Sequence, residues 1–222
     1  MTDWGCYVMA PWAGRIREGC FQLQNQTYRV PLRQPPHALH GTVLDARWKQ
    51  VGPQSLESEF GLAWPWKGKI RSDFELSTTA LQWKLSVSTY DFDMPITLGW
   101  HPWFRRAIGP EGEAFYTFAA GKKYIRDQHG IPTGEMTAII GEGPFDDCFT
   151  SLSEAPRISW PCGLTMRLSS SCNYWVVYDQ PAHAFCLEPQ SGPPDGFNLG
   201  EFEFVSPEKP LVHSFCLDWG SD

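Results

Sequence analysis

Several features that mark other classes of protein are missing from this chain of 222 residues. No apolar run approaches the roughly 18 residues of a membrane-spanning helix, so membrane insertion is not expected. A basic stripe is also missing: the net charge is −7, and the closest basic pairs are Arg105 with Arg106 and Lys122 with Lys123. Nucleic-acid binding is therefore not expected either. Residues 1–6 carry neither the basic nor the apolar region of a secretory signal, which predicts a cytoplasmic protein.

The cysteine pattern supports the same compartment. Seven cysteines are present, an odd number, and none belongs to a C-x-x-C pair. Several lie in alternating apolar and polar stretches, such as residues 212–217. The pattern predicts buried free thiols in a reducing cytoplasm rather than a disulfide framework.

Helix signals are missing as well, since no stretch shows a convincing cap followed by a 3.6-residue period. The dominant period is two: Leu81, Trp83, Leu85 and Val87 alternate with polar residues. Turn-forming clusters rich in Gly, Pro and Asn separate a dozen or more such stretches. We therefore predict an all-β antiparallel sandwich or barrel, and, without a linker or an internal repeat, a single domain over residues 1–222.

Aromatic residues are abundant, at 14% of the chain with 11 tryptophans. They pack well on pleated sheets, which is the commoner reason for such a composition. Aromatic rings also offer flat platforms for sugar rings. Composition alone favours the packing role and leaves the second open.

The most informative segment covers residues 184–198. Residues 184–187 are apolar and predict a buried strand, and Glu188 follows directly. Three prolines among the next six residues must end the strand close to that carboxylate. A carboxylate on a rigid element, with Gln190 beside it, suits a general base. The alternative is a partly buried Glu that caps local backbone.

Three of the six histidines have informative neighbours. His37 and His40 lie in a turn-rich loop over residues 35–41, and His101 lies where an apolar strand meets a proline and two aromatics. A histidine so flanked is more often a core residue than a catalyst. His37 and His40 could supply two metal ligands, but a catalytic zinc site usually takes three protein ligands. We expect no metal.

Read in order, six short motifs resemble the aldose 1-epimerase (galactose mutarotase-like) family from about residue 11 to the last strand. Each motif is weak alone, and their shared order is specific. The resemblance implies a large antiparallel β-supersandwich, in agreement with the period of two. The motifs are A-G-R-I at 13–16, L-H-G at 39–41, G-W-H-P-W-F at 99–104, I-P-T-G at 131–134, P-F-D at 144–146 and L-E-P-Q at 187–190.

The resemblance also implies roles for individual residues. Glu188 would be the general base that removes the proton of the anomeric hydroxyl, and His101 the general acid that protonates the ring oxygen. Opening a cyclic hemiacetal needs one proton off O1 and one onto the ring oxygen, so such a pair requires no metal or cofactor. The implied sugar-binding residues, with Gln190 counted beside Glu188, are Arg15, His40, Asp146 and Gln190.

The chain also departs from the family pattern. The family's fullest motif after the acid is His-x-Tyr-Phe-Asn-Leu, whereas His101 here is followed by Pro-Trp-Phe-Arg-Arg. Asp147 follows Asp146, so the binding carboxylate could be displaced by one residue. Members usually have several strands before the equivalent of residue 13, whereas this chain begins about a dozen residues earlier. Those strands are dispensable here, or a partner chain takes their place, or the chain is a shortened product. Because an unpaired sheet edge favours aggregation, we expect a homo-oligomer that covers it.

Three functions remain open. The first, which we favour, is a mutarotase on free aldoses. The second is a mutarotase on phosphorylated hexoses, in which Arg105 and Arg106 would hold the phosphate. The third is a non-catalytic carbohydrate-binding sandwich, although a pure binder needs no facing acid and base.

Overall fold

The computed structural model describes residues 4–221, so residues 1–3 and 222 of the predicted domain lie outside the described part. Strands cover most of the chain. They are β1 Cys6–Met9, β2 Arg15–Ile16, β3 Cys20–Leu23, β4 Gln26–Arg29, β5 Ala38–Leu39, β6 Lys49–Gly52, β7 Ser55–Glu59, β8 Gly68–Leu76, β9 Ala80–Thr89, β10 Met94–Ile96, β11 Gly99–Arg105, β12 Phe115–Thr117, β13 Ala120–Arg126, β14 Pro132–Thr137, β15 Asp146–Leu152, β16 Arg157–Ser159, β17 Leu164–Ser170, β18 Tyr174–Tyr178, β19 Ala184–Gln190, β20 Glu203–Val205 and β21 Leu211–Ser221.

Helix is confined to short pieces in the described residues: a 3-10 turn at Arg17–Gly19 and α1 at Gly196–Leu199. The absence of helix signals does not extend to α1, because four residues are too few to show a period. Asp195, a residue type common at helix starts, precedes α1 in a left-handed conformation and makes no capping hydrogen bond with its side chain. No helix among residues 4–221 is long and apolar enough to cross a membrane.

Two large sheets dominate the fold. One has seven strands in the order β1-β11-β19-β18-β15-β13-β14, and the other has eight in the order β12-β16-β17-β21-β9-β8-β7-β6. Three two-stranded sheets, β10-β20, β2-β5 and β3-β4, complete the described part. Neighbouring strands in the two large sheets run antiparallel. The all-β antiparallel prediction is confirmed.

The two large sheets share one apolar core. In β9, Trp83, Leu85 and Val87 are buried at alternate positions, as the period of two predicts. Across the interface, the ring of Trp100 on β11 lies 5.6 Å from the ring of Phe215 on β21, centroid to centroid. Six tryptophans are buried in this core, so much of the aromatic content serves packing. The shared core supports the single-domain organisation, which stays a prediction.

The seven-stranded sheet buries both of its faces near its centre. All seven residues of β19 are buried. Phe185 and Leu187 enter the shared core, so Cys186, Glu188 and Gln190 point to the opposite face, because side chains alternate along a strand. This second face carries the polar groups of the site described below.

A close approach fixes the segment next to His40. Gly41 has a φ of +76°, and a Cβ there would collide with the carbonyl oxygen of Ala10.

We predict that Gly41→Ala lowers the free energy of unfolding by about 3 kcal/mol or more, since the strain of a left-handed residue adds to the collision. The matched control is Gly61→Ala, at φ +73° with open space around it; it should cost only about 1–2 kcal/mol. Equal losses in urea unfolding would refute the close approach.

Candidate active site

A cavity of about 370 Å³ lies on the second face of the seven-stranded sheet. Its volume is in the range of small-molecule sites. Side chains from all seven strands of that sheet line it, and loops from the β2 and β5 regions form its rim. The structure brings every predicted site residue to this one cavity: Arg15, His40, His101, Asp146, Glu188 and Gln190.

Glu188 and His101 form the centre of the cavity floor. The pairing of β11 with β19 places Gly99 opposite Gln190 and Trp103 opposite Cys186, so His101 and Glu188 lie between these pairs. His101 Nε2 is 3.2 Å from Glu188 Oε1, and the side chains are only 7% and 2% exposed. The Gln190 amide donates to Glu188 Oε2 over 3.1 Å. The alternative of a partly buried Glu that caps local backbone does not fit this environment.

Burial sets the protonation of the pair. Desolvation raises the pKa of Glu188 well above its usual range, and the nearby charge of Asp146 raises it further, against the opposing effect of Gln190 and Arg15. Desolvation also lowers the pKa of His101 to about 3. A protonated carboxyl group beside a neutral imidazole avoids burying an isolated charge. Near neutral pH the pair thus holds one exchangeable proton and no net charge.

Aromatic rings fix the plane of the His101 imidazole. Tyr7 stacks on it with ring centroids 4.6 Å apart, and Trp103 stacks on it at 5.3 Å. His40 meets it edge-on at 5.1 Å. Trp103 could have been assigned to the site, because it lies two residues from His101 and so on the same face of β11. Tyr7 could not, because β1 pairs with β11 across a long stretch of chain.

Two aspartates and two arginines form a charged part of the cavity lining. Arg15 Nη1 lies 3.9 Å and Arg126 Nη1 3.4 Å from Asp146 Oδ2. Arg126 Nε also contacts Asp147 Oδ1 at 2.8 Å. Burial raises the pKa of Asp146, although both arginines oppose that shift. Asp146 and Asp147 both line the cavity. Arg126, at the end of β13, also lines it, and no motif or pattern in the sequence marks it as a site residue.

His40 directly follows the short strand β5 (Ala38–Leu39), within the turn-rich segment predicted for residues 35–41. Arg15 pairs with Leu39 in the two-stranded sheet of β2 and β5, and the His40 N–H donates to the Gly14 carbonyl over 2.9 Å. Burial lowers the pKa of His40 well below its usual range. The imidazole is therefore neutral and can both donate and accept a hydrogen bond.

The histidine metal pair has no support among residues 4–221. His37 accepts a hydrogen bond from the Glu18 N–H at Nδ1 over 3.2 Å and does not line the cavity. The one group of three potential metal ligands found in the described part is His101, Cys186 and Glu188.

The two arginines considered as a phosphate clamp lie outside the cavity lining. The Arg106 guanidinium donates to the carbonyl oxygens of Asp179 and Pro181 and lies 5.6 Å from the Phe185 ring centroid. Arg105 is the exposed last residue of β11. The structure therefore brings neither one to the site.

The cysteines follow the prediction only in part. All seven are free, as expected, but only Cys148, Cys172 and Cys186 are buried. Cys6 and Cys162 are exposed and the remaining two are intermediate. Cys6, Cys20 and Cys216 lie on strands, which can bear one face on solvent, whereas Cys162 lies in the turn between β16 and β17.

Comparison with known proteins gives the same family as the motifs. The family model for aldose 1-epimerase matches residues 2–208. The chain is 22% identical over 221 aligned positions to the uncharacterised protein YihR of Escherichia coli K12, covering 87% of this chain and 71% of the relative.

Solved structures show the same fold. A galactose mutarotase-like protein of Clostridium acetobutylicum superposes with a TM-score of 0.85 at 19% identity, over 100% of this chain and 80% of that one. The GalM/aldose epimerase homologue of C. elegans gives 0.81 at 15% identity, over 100% and 83%. The expected galactose mutarotase-like fold is confirmed.

Two histidines, the buried His101 and the partly buried His213, should shape the pH dependence of stability in opposite ways. The pKa of His101 is about 3 in the folded chain against an ordinary 6.5, so the unfolded chain binds more protons below pH 6.5. Glu188 offsets this effect between pH 4.5 and 6.5, because its raised pKa keeps it protonated in the folded chain while it is ionised in the unfolded chain. The net loss of stability from the pair therefore comes as the pH falls below 4.5 towards 3. The pKa of His213 is raised to about 10, because hydrogen bonds with Cys172 and Glu203 outweigh burial. Its contribution is present below pH 6.5 and is lost as the pH rises towards 10.

We predict that His101→Asn flattens the acid limb of the stability profile and His213→Asn the alkaline limb. The change in slope should approach about 1.4 kcal/mol per pH unit, the value for one proton. Urea unfolding across this pH range measures both limbs, and each variant is the control for the other. An acid limb as steep in His101→Asn as in the wild type would contradict the assignment.

Proposed function

The chain belongs to the aldose 1-epimerase family, and from that premise we propose that it interconverts the α and β anomers of a free aldose by acid–base ring opening. One observation carries the proposal: the buried contact of 3.2 Å between His101 Nε2 and Glu188 Oε1, on the floor of a cavity that all six predicted site residues line. An acid and a base on adjacent strands suit a reaction that moves one proton off the sugar and another onto it.

The proposed reaction begins with a proton shift inside the pair. Glu188 passes its proton to His101 across their contact, which leaves a carboxylate and an imidazolium. The carboxylate then takes the proton of the O1 hydroxyl while His101 Nε2 gives its proton to the ring oxygen. The bond between C1 and the ring oxygen breaks, and C1 and O1 become an aldehyde. Rotation about C1–C2 and reclosure with the roles reversed give the other anomer.

Proton transfer within the pair keeps its net charge at zero throughout. Because both groups are buried, a charge on one of them without the opposite charge on the other would be costly. The state left after ring opening, a protonated Glu188 and a neutral His101, is also the state that burial favours. We infer that the cavity holds the pair ready for both directions of the reaction.

The cavity walls supply the groups for holding the sugar. Arg15 and Asp146, as a guanidinium and a carboxylate, can donate to and accept from sugar hydroxyls. His40 and Gln190 each carry a buried polar atom without a protein partner in the structure, Nδ1 and Oε1 respectively. We assign these four residues to sugar binding, with Arg126 added from the structure.

The charges of the cavity favour a neutral sugar. Arg15 and Arg126 are already matched by Asp146 and Asp147, so no arginine pair is left for a dianion. Arg106 is held elsewhere, by backbone carbonyls. Desolvating a phosphate dianion without paired cations is expensive. We therefore place free aldoses ahead of hexose phosphates.

The base assignment predicts the effect of one substitution. Glu188→Gln keeps the size and hydrogen bonding of the side chain but removes the carboxylate, so we expect kcat to fall at least about a hundredfold with little change in sugar affinity. Polarimetry or anomer-exchange NMR gives the rate, and calorimetry gives the affinity. Glu203→Gln, a matched change outside the cavity lining, should keep full activity. Near-normal turnover by Glu188→Gln would contradict the base assignment and leave Glu188 a structural residue. Sugar binding without turnover in the wild type would instead favour the non-catalytic sugar-binding alternative.

The charge balance predicts substrate choice. We expect kcat/KM for glucose or galactose to exceed that for glucose 6-phosphate, because the phosphate would have to lose water without a free cation pair. Both sugars are assayed in the same anomer-exchange experiment, with Arg106→Ala as a control that should change neither value. An advantage of about tenfold or more for the phosphate would reverse the choice.

Self-association of the chain and its cytoplasmic location stay predictions.

A further inference from the structure

The proposed mechanism does not use Cys186, although the thiol lies beside the acid–base pair. Cys186 is two residues before Glu188 on β19, so both side chains point to the same face. It is fully buried. One potential ligand atom from each of His101, Cys186 and Glu188 lies within 4.8 Å of the others. Proton transfer between an imidazole and a carboxylate gives no role to a thiol at this position.

The spacing of these three groups is close to that around a tetrahedral metal ion. Bond lengths of about 2.0–2.2 Å to N and O place tetrahedral ligand atoms about 3.4 Å apart, and His101 Nε2 and Glu188 Oε1 are 3.2 Å apart. With a Zn–S bond of about 2.3 Å, the sulfur should lie about 3.6 Å from the other two atoms. The sulfur is at most 4.8 Å from each. A rotation of the Cys186 side chain that moves its sulfur by roughly an ångström would bring it to the distance of a zinc ligand.

Charge and chemistry select the class of ion. A divalent cation with one thiolate and one carboxylate is electrically neutral, which suits a buried site. A thiolate and an imidazole favour zinc-like ions over magnesium or calcium, which prefer all-oxygen sites. His101 and Glu188 line the cavity, so an ion can reach them from its mouth, and water from the cavity can take the fourth position.

We propose that His101, Cys186 and Glu188 form an inhibitory site for a zinc-like divalent ion. The ion binds to Nε2 of His101 and to the carboxylate of Glu188. These are the two groups through which the protons would move, so the metal-bound protein cannot open the sugar ring. The metal site itself stands on the geometry of three side chains, and only its inhibitory effect rests on the proposed function.

The ion must displace the proton of the thiol. Burial raises the pKa of Cys186, and the charge of Glu188 adds to that shift. A coordinating metal ion reverses this preference and holds the thiolate. Binding therefore releases protons, and the apparent affinity should rise with pH.

The test uses the full chain, cobalt as a spectroscopic probe and zinc as the inhibitor. Cobalt bound to a thiolate gives a charge-transfer absorption that does not depend on any enzymatic activity. The variants are Cys186→Ala and a matched control, Cys148→Ala. Cys148 is also a buried free thiol and lines the same cavity, but it lies outside the group of three ligands. Magnesium serves as the control ion.

We expect one cobalt ion to bind the wild type with a thiolate absorption that Cys186→Ala lacks and Cys148→Ala keeps. The zinc concentration for half-inhibition should rise at least about tenfold in Cys186→Ala, as expected for the loss of a ligand. Magnesium should not inhibit, and a chelator should restore full activity. If Cys186→Ala fails to fold, Cys186→Ser gives the same comparison.

The outcomes separate this proposal from the proposed function. Cobalt absorption that is absent from the wild type, or that persists in Cys186→Ala, overturns the metal site whatever the activity. Absorption that depends on Cys186 in a protein without mutarotase activity keeps the metal site and removes the function. Activity that is lost on chelation and regained with zinc overturns the inhibitory role.

Discussion

The contact between Glu188 and His101 is the constraint on which the site depends. A carboxylate or an imidazolium alone at this depth would be very costly, whereas the pair with one shared proton is neutral. That solution works only if the two side chains meet, and the register of β11 against β19 decides this. A slip of one residue would turn Leu187 to the cavity and Glu188 to the core. The apolar face of β19 therefore fixes the geometry of its polar face.

The rim of the cavity is fastened by a second set of ion pairs. Arg17 Nη1 contacts Asp127 Oδ2 at 2.8 Å, and Arg17 Nε lies 3.6 Å from Asp195 Oδ2. The Asp195 N–H donates to the Arg15 carbonyl over 2.7 Å. Asp127 directly follows Arg126, so Arg17 ties the segments that bear both cavity arginines. The floor depends on strand register, and the rim depends on these charge-assisted contacts.

Local sequence patterns correctly predicted the features that depend only on residues close together in the chain. Alternation predicted the buried face of β9, and the prolines after Glu188 correctly placed the end of β19. Arg126 and Tyr7 could not be assigned, because each reaches the cavity through strand pairings between distant parts of the chain. The order of the six motifs, rather than any one of them, predicted that Arg15 and the other named residues belong to one site. Local sequence patterns thus predict which face of a strand a residue occupies. Which strands pair with one another is known only from the three-dimensional fold.

The burial that keeps the pair neutral also adds a proton-transfer step to the proposed reaction. In the proposed reaction the proton must first cross from Glu188 to His101, because burial favours the protonated carboxyl group, which cannot act as a base. In that proposal a sugar in the cavity would assist the shift, because its O1 hydroxyl would donate to the forming carboxylate and its ring oxygen would accept from the forming imidazolium. Each contact stabilises the charged form more than the neutral one. The charged pair is then stabilised mainly when a sugar occupies the cavity, which is the preference for the reacting state that catalysis requires.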